Sequence, residues 1–338
     1  MRRNLGFILD PFIAGLIGAV ILASVAPCRG GVAVAFGLVT NAAIALLFFL
    51  HGARLSRQAI LAGIGHWRLH LTVLSATYVM FPLFGLALRA LGNGWVDSAM
   101  LAGILFLCLL PSTVQSSIAF TSIAGGNVPA AVCSASASNV IGMFVTPMLV
   151  ALFLGGNGGG VPLHAVEGIL FQLLAPFVAG HLSRPFTAAF LHRRKFLVNL
   201  VDRGSILLVV YTAFSAAVVE GLWRRLSASD LIIVGILDSI ILALALAITS
   251  LGARRLGFPR EDEIAIVFCG SKKSLASGVP IAGVLFPAAS VGVMIVPLMI
   301  FHQIQLMVCA VLARRYAEQK PGAAGLHPHL VSPVKGEG

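Results

Sequence analysis

Runs of about 20 apolar residues, the length a helix needs to cross a bilayer's hydrocarbon core, recur along almost the whole 338-residue chain. They fall at 11–27, 33–51, 69–91, 97–124, 127–153, 164–184, 203–222, 228–252, 262–286 and 290–314. One soluble core cannot bury that much apolar surface. Hydrophobic residues make up 58% of the chain and charged residues 10%, against roughly 25% charged in soluble domains. Mean hydropathy is +0.98. The pattern predicts an all-α polytopic membrane protein of ten transmembrane helices, with the lipid bilayer as its first partner. The start, "MRRNLGFILDPFIAGLIGAVILASVAP", has the positive end of a signal peptide. Its apolar part is long and further spans follow, so it reads as a retained first helix. Between the second and third runs, "GARLSRQAILAGIGHW" (52–67) reads as an interfacial amphipathic helix. The tail from Lys320, rich in Pro and Gly, reads as disordered over 320–338.

The net charge of +11 raises the question of a nucleic-acid partner, and the positions of the charges answer it. With a cytoplasmic N-terminus, ten spans put 17 of the 23 Lys and Arg residues in cytoplasmic segments. Only Arg29, Arg89, Arg224 and Arg225 lie opposite, and Lys272 and Lys273 fall inside a span. That bias is the positive-inside pattern. It predicts both termini in the cytoplasm, a plasma (bacterial inner) membrane location and no nucleic acid. The five cysteines form no CxxC pair, so neither a zinc site nor a disulfide framework is expected, and no cofactor is implied.

Two spans are interrupted. The fourth breaks at "PSTVQSS" (111–117) and the ninth at "GSKKS" (270–274). These are the fourth members of spans 1–5 and of spans 6–10. Five is odd, so two five-span halves have opposite orientation. Interrupted helices at matching positions of inverted halves point to a secondary transporter's midplane site. Pro111 removes a backbone donor, and Ser112, Thr113, Gln115, Ser116 and Ser117 surround the opened backbone with polar ligands. In "SASASNVIG" (134–142), Ser136 and Asn139 share a helical face at i, i+3. Lys272 and Lys273 are flanked by Ser271 and Ser274, and neighbouring side chains on a helix point about 100° apart, so the two lysines are expected to do different jobs. Asp238, central in the eighth span, is the expected partner of one of them, because an intramembrane carboxylate needs a counter-charge. Gln303 and Gln305, beside His302 in the tenth span, are expected to face the bundle interior. Asp10 and Asp202 read as helix N-caps.

The strings "LLPSTVQSSIAFTSIAGGNVPAAVCSASASNVIGMFVTP" (109–147), "FCGSKKSLASGVPIA" (268–282) and "PLMIFHQIQLMVCAVLARRYA" (297–317) resemble the SBF-like branch of the bile acid:sodium symporter superfamily. The resemblance runs over essentially all ten spans. It implies two inverted five-helix repeats, about 1–155 and 160–319, forming one transporter domain over 1–319. Core and panel domains would pack together, with broken helices 4 and 9 crossing in the core. It also implies a sodium site, here at Ser116, Ser117, Ser136 and Asn139, with Na+ as coupling ion. The sequence departs from the sodium-dependent pattern at the ninth span. Phe268 stands where those relatives carry a glutamate, and Lys272 and Lys273 stand near their Gln-Asn. This suggests a lysine ammonium in place of a sodium ion, with transport coupled to lysine deprotonation or independent of sodium. A lysine at a broken helix is equally suited to binding a substrate anion directly.

The function expected is secondary active transport of a small or amphipathic organic anion, sodium- or proton-coupled, by alternating access at the crossing of helices 4 and 9. No GxxxxGK[ST] loop suggests a primary pump. A non-transporting membrane regulator of ion homeostasis is the alternative. An intramembrane hydrolase with a Ser271 or Ser274 nucleophile and a lysine base is remote, because no GxSxG or HExxH accompanies it. Substrate, stoichiometry and oligomeric state are not legible.

Overall fold

A computed structural model of the chain describes residues 11–54, 66–92, 94, 96–154, 163–225 and 227–319. Positions 55–65 of the segment 52–67 expected at the interface, Asp10 and the tail 320–338 lie outside them. Among the described residues the chain is helical, with no strand. The helices are α1 (Pro11–Val25), α2 (Gly30–Arg54), α3 (Trp67–Leu91), α4 (Ser98–Leu109), α5 (Gln115–Ala124) and α6 (Val128–Leu154). They continue as α7 (Leu163–Arg193), α8 (Lys195–Val219), α9 (Ala228–Arg255), α10 (Arg260–Gly270), α11 (Leu275–Leu285) and α12 (Ala288–Glu318).

Seven stretches among the described residues are long and apolar enough to cross a membrane, counting α10 with α11 as one. Their outer faces carry exposed apolar side chains such as Val34, Leu38, Val79, Ile232 and Val311, as lipid contact requires. The protein is an integral, multi-pass membrane protein. The other three expected spans have these places. α1 is described over 15 residues. The fourth run is split at Pro111 into pieces of 12 and 10 residues. The sixth expected span lies within α7, which is 31 residues long.

Local chemistry sets the ends of the broken elements. Asp97 caps α4, its Oδ1 accepting from Ala99 and Met100 N–H. α4 stops where Pro111 cannot donate. α5 stops at Gly125, whose φ of +73° is left-handed, and Gly126 N–H closes back on Thr121 O. Ser274 starts α11 by accepting from Ser277 N–H. Ser227 and Asp230 form a capping box at α9.

Burial separates the second break from ordinary spans. In the Arg260–Leu285 stretch 94% of the apolar window is buried, against 22–39% in the other six. Irregular backbone at membrane depth is tolerated only inside protein or against a cavity. Elsewhere small residues allow close approach. A Cβ on Gly52 or Gly180 would lie 1.9 Å from Phe177 O or Phe49 O, so α2 and α7 touch backbone to backbone.

Candidate functional site

The two breaks are stitched to each other. Ser112 Oγ donates to Cys269 O at 2.5 Å, Ser117 Oγ to Phe268 O at 2.8 Å, and Ser274 N–H to Pro111 O at 2.9 Å. Helix α6 clamps both. Asn139 Nδ2 donates to Ser112 O at 2.7 Å, and Asn139 Oδ1 accepts from Ser277 Oγ at 2.6 Å; Thr146 Oγ1 donates to Leu109 O at 2.8 Å. Backbone groups released by unwinding thus find side-chain partners, as buried polar groups must.

Lys273 is fully buried and its ammonium is saturated. Nζ donates to Thr77 O at 2.9 Å, Cys108 O at 2.9 Å and Leu110 O at 2.7 Å, which uses all three N–H bonds. Each carbonyl is an orphan of helix irregularity. A π-turn over Ala76–Met80 sends Phe81 N–H to Ala76 O, and Pro82 has no N–H, so Thr77 O lacks a helical donor. Ser112 N–H, one turn beyond Cys108 O, goes instead to Ser138 Oγ. Leu110 is extended, outside either half-helix. The Phe81 ring lies 4.2 Å from the ammonium. Gln305 fixes the lysine's backbone by a two-way clasp: Lys273 N–H donates to Oε1 at 3.0 Å, and Nε2 donates to Lys273 O at 2.9 Å.

Lys272 is equally buried and held differently. Nζ donates to Ser116 Oγ at 3.2 Å and lies 4.5 Å from the Phe120 ring and 5.7 Å from that of Phe268. Ser116 Oγ in turn donates to Thr113 Oγ1, which also shares a hydrogen bond with Ser117.

A cavity of about 640 Å³ opens beside the breaks. One wall is hydroxyl and amide: Thr113, Gln115, Ser116, Ser136, Asn139 and Ser277. A second wall, from α2 and α8, carries His51, Arg54, Asn199, Asp202 and Arg203, with apolar surface such as Phe48, Met143 and Phe177 completing the lining. The volume is within the usual ligand-site range.

The family model for the SBF-like CPA transporter family matches residues 10–318. The chain belongs to that family. It is 59% identical over 319 residues to the protein PA2026 of Pseudomonas aeruginosa, covering 94% of this chain and 96% of the other. It is 55% identical over 312 residues (92% and 94%) to YfeH of Escherichia coli strain K12, whose name carries the word symporter. It is 29% identical over 308 residues (89% and 91%) to a zebrafish protein named sodium/bile acid cotransporter 7. Membership of the SBF-like CPA transporter family makes the chain a transporter relative and removes the Ser–Lys hydrolase reading. Ser271 Oγ accordingly bonds back to Val267 O within its own helix, and Ser274 is a helix cap.

Within this member of the SBF-like CPA transporter family, several expectations change. Asp238 does not pair with a lysine. It is fully buried on α9 with both oxygens lacking a hydrogen-bond partner. It and Lys273 both lie near the Cys108 thiol, but the freed carbonyls have taken every donor of the ammonium. Asp202 is not an N-cap. α8 begins at Lys195, and Asp202 Oδ2 accepts from Arg54 Nη1 at 2.7 Å. Neither Lys272 nor Lys273 lines the cavity, and neither does Ser112, Ser117 or Gln303; Gln303 is half-buried on α12. The charged wall of Arg54, Asp202 and Arg203 went unread in the sequence. The alternation of charge within one turn, "VDRGS", was its only signal.

The donor set fits a sodium ion poorly where the family resemblance implies one. Ser117 is fully buried and committed to Phe268 O, Asn139 Oδ1 to Ser277, and Ser116 already holds an ammonium. A monovalent cation on Ser116 Oγ would lie roughly 5.5 Å from Lys272 Nζ, costing about 3 kcal/mol of repulsion at an effective dielectric of about 20. Phe268 fills the acidic position with a ring packed between Phe120 and Tyr316. Among the described residues no group of three His, Cys, Asp or Glu could hold a metal ion.

Proposed function

We propose that this protein is a secondary transporter of amphipathic organic anions that works by alternating access at the two breaks, with a lysine ammonium as a permanent replacement for a bound sodium ion. The reading takes ten spans as two inverted repeats, about 1–155 and 160–319, with the breaks as the fourth member of each and both termini cytoplasmic. A bacterial inner-membrane location agrees with the bacterial relatives. The observation that carries the coupling is the cage around Lys273 Nζ. Three carbonyl oxygens at 2.7–2.9 Å surround one positive charge, an arrangement suited to a hard cation but filled from within the chain. Relatives named sodium/bile acid cotransporter 7 motivate a bile-acid anion as probe and sodium as the ion to exclude. The cavity's apolar wall suits the probe's ring system, and its hydroxyl and amide wall suits polar substituents.

The test is uptake of radiolabelled taurocholate into proteoliposomes, in sodium and in choline media of equal ionic strength, with and without a pH gradient. Uptake that persists in choline is expected. Uptake strictly dependent on sodium would contradict the proposal, and no uptake under any gradient would favour a regulator over a transporter.

A further inference from the structure

We infer that a groove between α9 and α12 binds one anionic phospholipid of the surrounding bilayer, its phosphodiester on Arg254 and Arg315 and one acyl chain along the apolar floor. The inference stands apart from the transporter reading and needs only that the chain spans a bilayer. The groove has a volume of about 690 Å³ and shares no residue with the cavity beside the breaks. Leu246, Met307, Val308 and Val311 line its apolar part, and the last three are exposed. Its other end is polar, with Ser250, Arg254, Arg315, Tyr316 and Gln319. Arg260, five residues past the end of α9, donates to Tyr316 O at 2.6 Å and to Gln319 O at 2.7 Å, which ties the C-terminal ends of α9 and α12 together. The groove therefore runs inward from one membrane surface. Leu246 to Arg254 spans about 12 Å of helix and Met307 to Gln319 about 18 Å, close to the roughly 15 Å depth of one leaflet's hydrocarbon.

The polar end suits a phosphodiester. Glu263 Oε1 accepts from Arg254 Nε at 2.9 Å, Ser250 Oγ at 3.0 Å and Tyr316 Oη at 3.1 Å. That clasp orients the Arg254 guanidinium without using it up. A guanidinium has five N–H donors; Glu263 takes one, the neighbouring Tyr316 hydroxyl at most one more, and the side chain is still 63% exposed. Arg315 has no carboxylate in ion-pair contact among the described residues. No acid is part of the lining: Glu263 is buried behind Arg254, and Glu318, one turn beyond Arg315, lies outside the groove. Two guanidiniums thus stand at the headgroup end of an apolar groove one leaflet deep. Guanidinium binds phosphate in a fork, and basic pockets between membrane helices hold anionic headgroups. A zwitterionic lipid offers the same chains and phosphate but brings a cation that both arginines repel. A free phosphate leaves the apolar floor uncovered.

Native mass spectrometry of the purified full-length protein, titrated with dioleoylphosphatidylglycerol or with dioleoylphosphatidylcholine, tests this, because the two lipids have identical chains. Wild type is expected to hold one phosphatidylglycerol at a roughly tenfold lower concentration than phosphatidylcholine, the scale of two basic residues acting at a lipid surface. Arg254→Gln with Arg315→Gln should erase that preference. Val308→Trp, which fills the apolar floor, should weaken both lipids. Arg315→Gln alone leaves the Glu263 clasp intact, so it remains informative if the double variant unfolds, and it should cut the preference about threefold; melting temperatures identify that case. Arg224→Gln with Arg225→Gln removes the same charge elsewhere and should leave the preference as in wild type. A preference that survives loss of Arg254 and Arg315, or that falls equally in the Arg224 and Arg225 variant, would overturn the assignment. So would a dimer in place of the lipid adduct, which would give this face to a second copy of the chain.

Discussion

Lys272 and Lys273 are adjacent, equally buried and chemically identical, yet their surroundings have little in common. Lys273 points into three carbonyls from two irregular segments, one at the π-turn of α3 and one at the break after α4. Lys272 points at one serine hydroxyl and two aromatic rings. The helix break lets consecutive side chains leave in different directions. The difference teaches what a buried cation can be for. Three donors spent on three otherwise orphaned acceptors make Lys273 part of the framework. Lys272, with one hydrogen bond and no carboxylate in ion-pair contact among the described residues, contributes charge to the hydroxyl cluster that borders the cavity.

The sharpest way to break the comparison is to remove each ammonium and keep its bulk. Lys273→Met leaves three buried carbonyls unmet at about 1–3 kcal/mol each, so a loss of at least about 3 kcal/mol is expected, read as a drop in melting temperature of roughly 6 °C or more or as failure to purify. Lys272→Met keeps the contacts with the Phe120 and Phe268 rings and should cost about 1–2 kcal/mol; the purified protein should melt within a few degrees of wild type. Equal losses at the two positions would erase the distinction. Smaller still is the coupling between Lys272 and Phe120. A double-mutant cycle with Lys272→Met and Phe120→Leu should return about 0.5–2 kcal/mol, and a value near zero would mean that the ring is mere packing. Ser116→Ala should cost about 1 kcal/mol and leave the Lys273 cage untouched.

How much of this was legible beforehand follows from what kind of atom does the work. The breaks were legible because Pro111 and the Gly-Ser-Lys-Lys-Ser string cannot pass as plain membrane helix. Asn139 was legible as an amide inside a helix of small residues, and it does join the two breaks. The partners of Lys273 were not, because they are backbone oxygens and Thr77, Cys108 and Leu110 advertise nothing by their side chains. Pro82, which deprives Thr77 O of a donor, was the available clue. Asp238 misled because charge pairing is the default solution for a buried acid, and the ammonium had better-placed acceptors. The Arg54–Asp202 pair joins residues 148 apart in sequence, and the true start of α8 at Lys195 lay outside its apolar run.

The central claim, that Lys273 occupies a cation cage as a built-in substitute for sodium, is tested most directly by Lys273→Ala. The small side chain empties the cage while the three carbonyls stay. The melting temperature of the purified variant is compared in sodium chloride and in choline chloride at equal ionic strength, beside wild type. Ligand linkage at about ten times the dissociation constant contributes about 1.4 kcal/mol, so a sodium-specific rise of roughly 3 °C is predicted for the variant and none for wild type. A variant that melts identically in both salts, or a wild type that gains as much from sodium, would contradict the account.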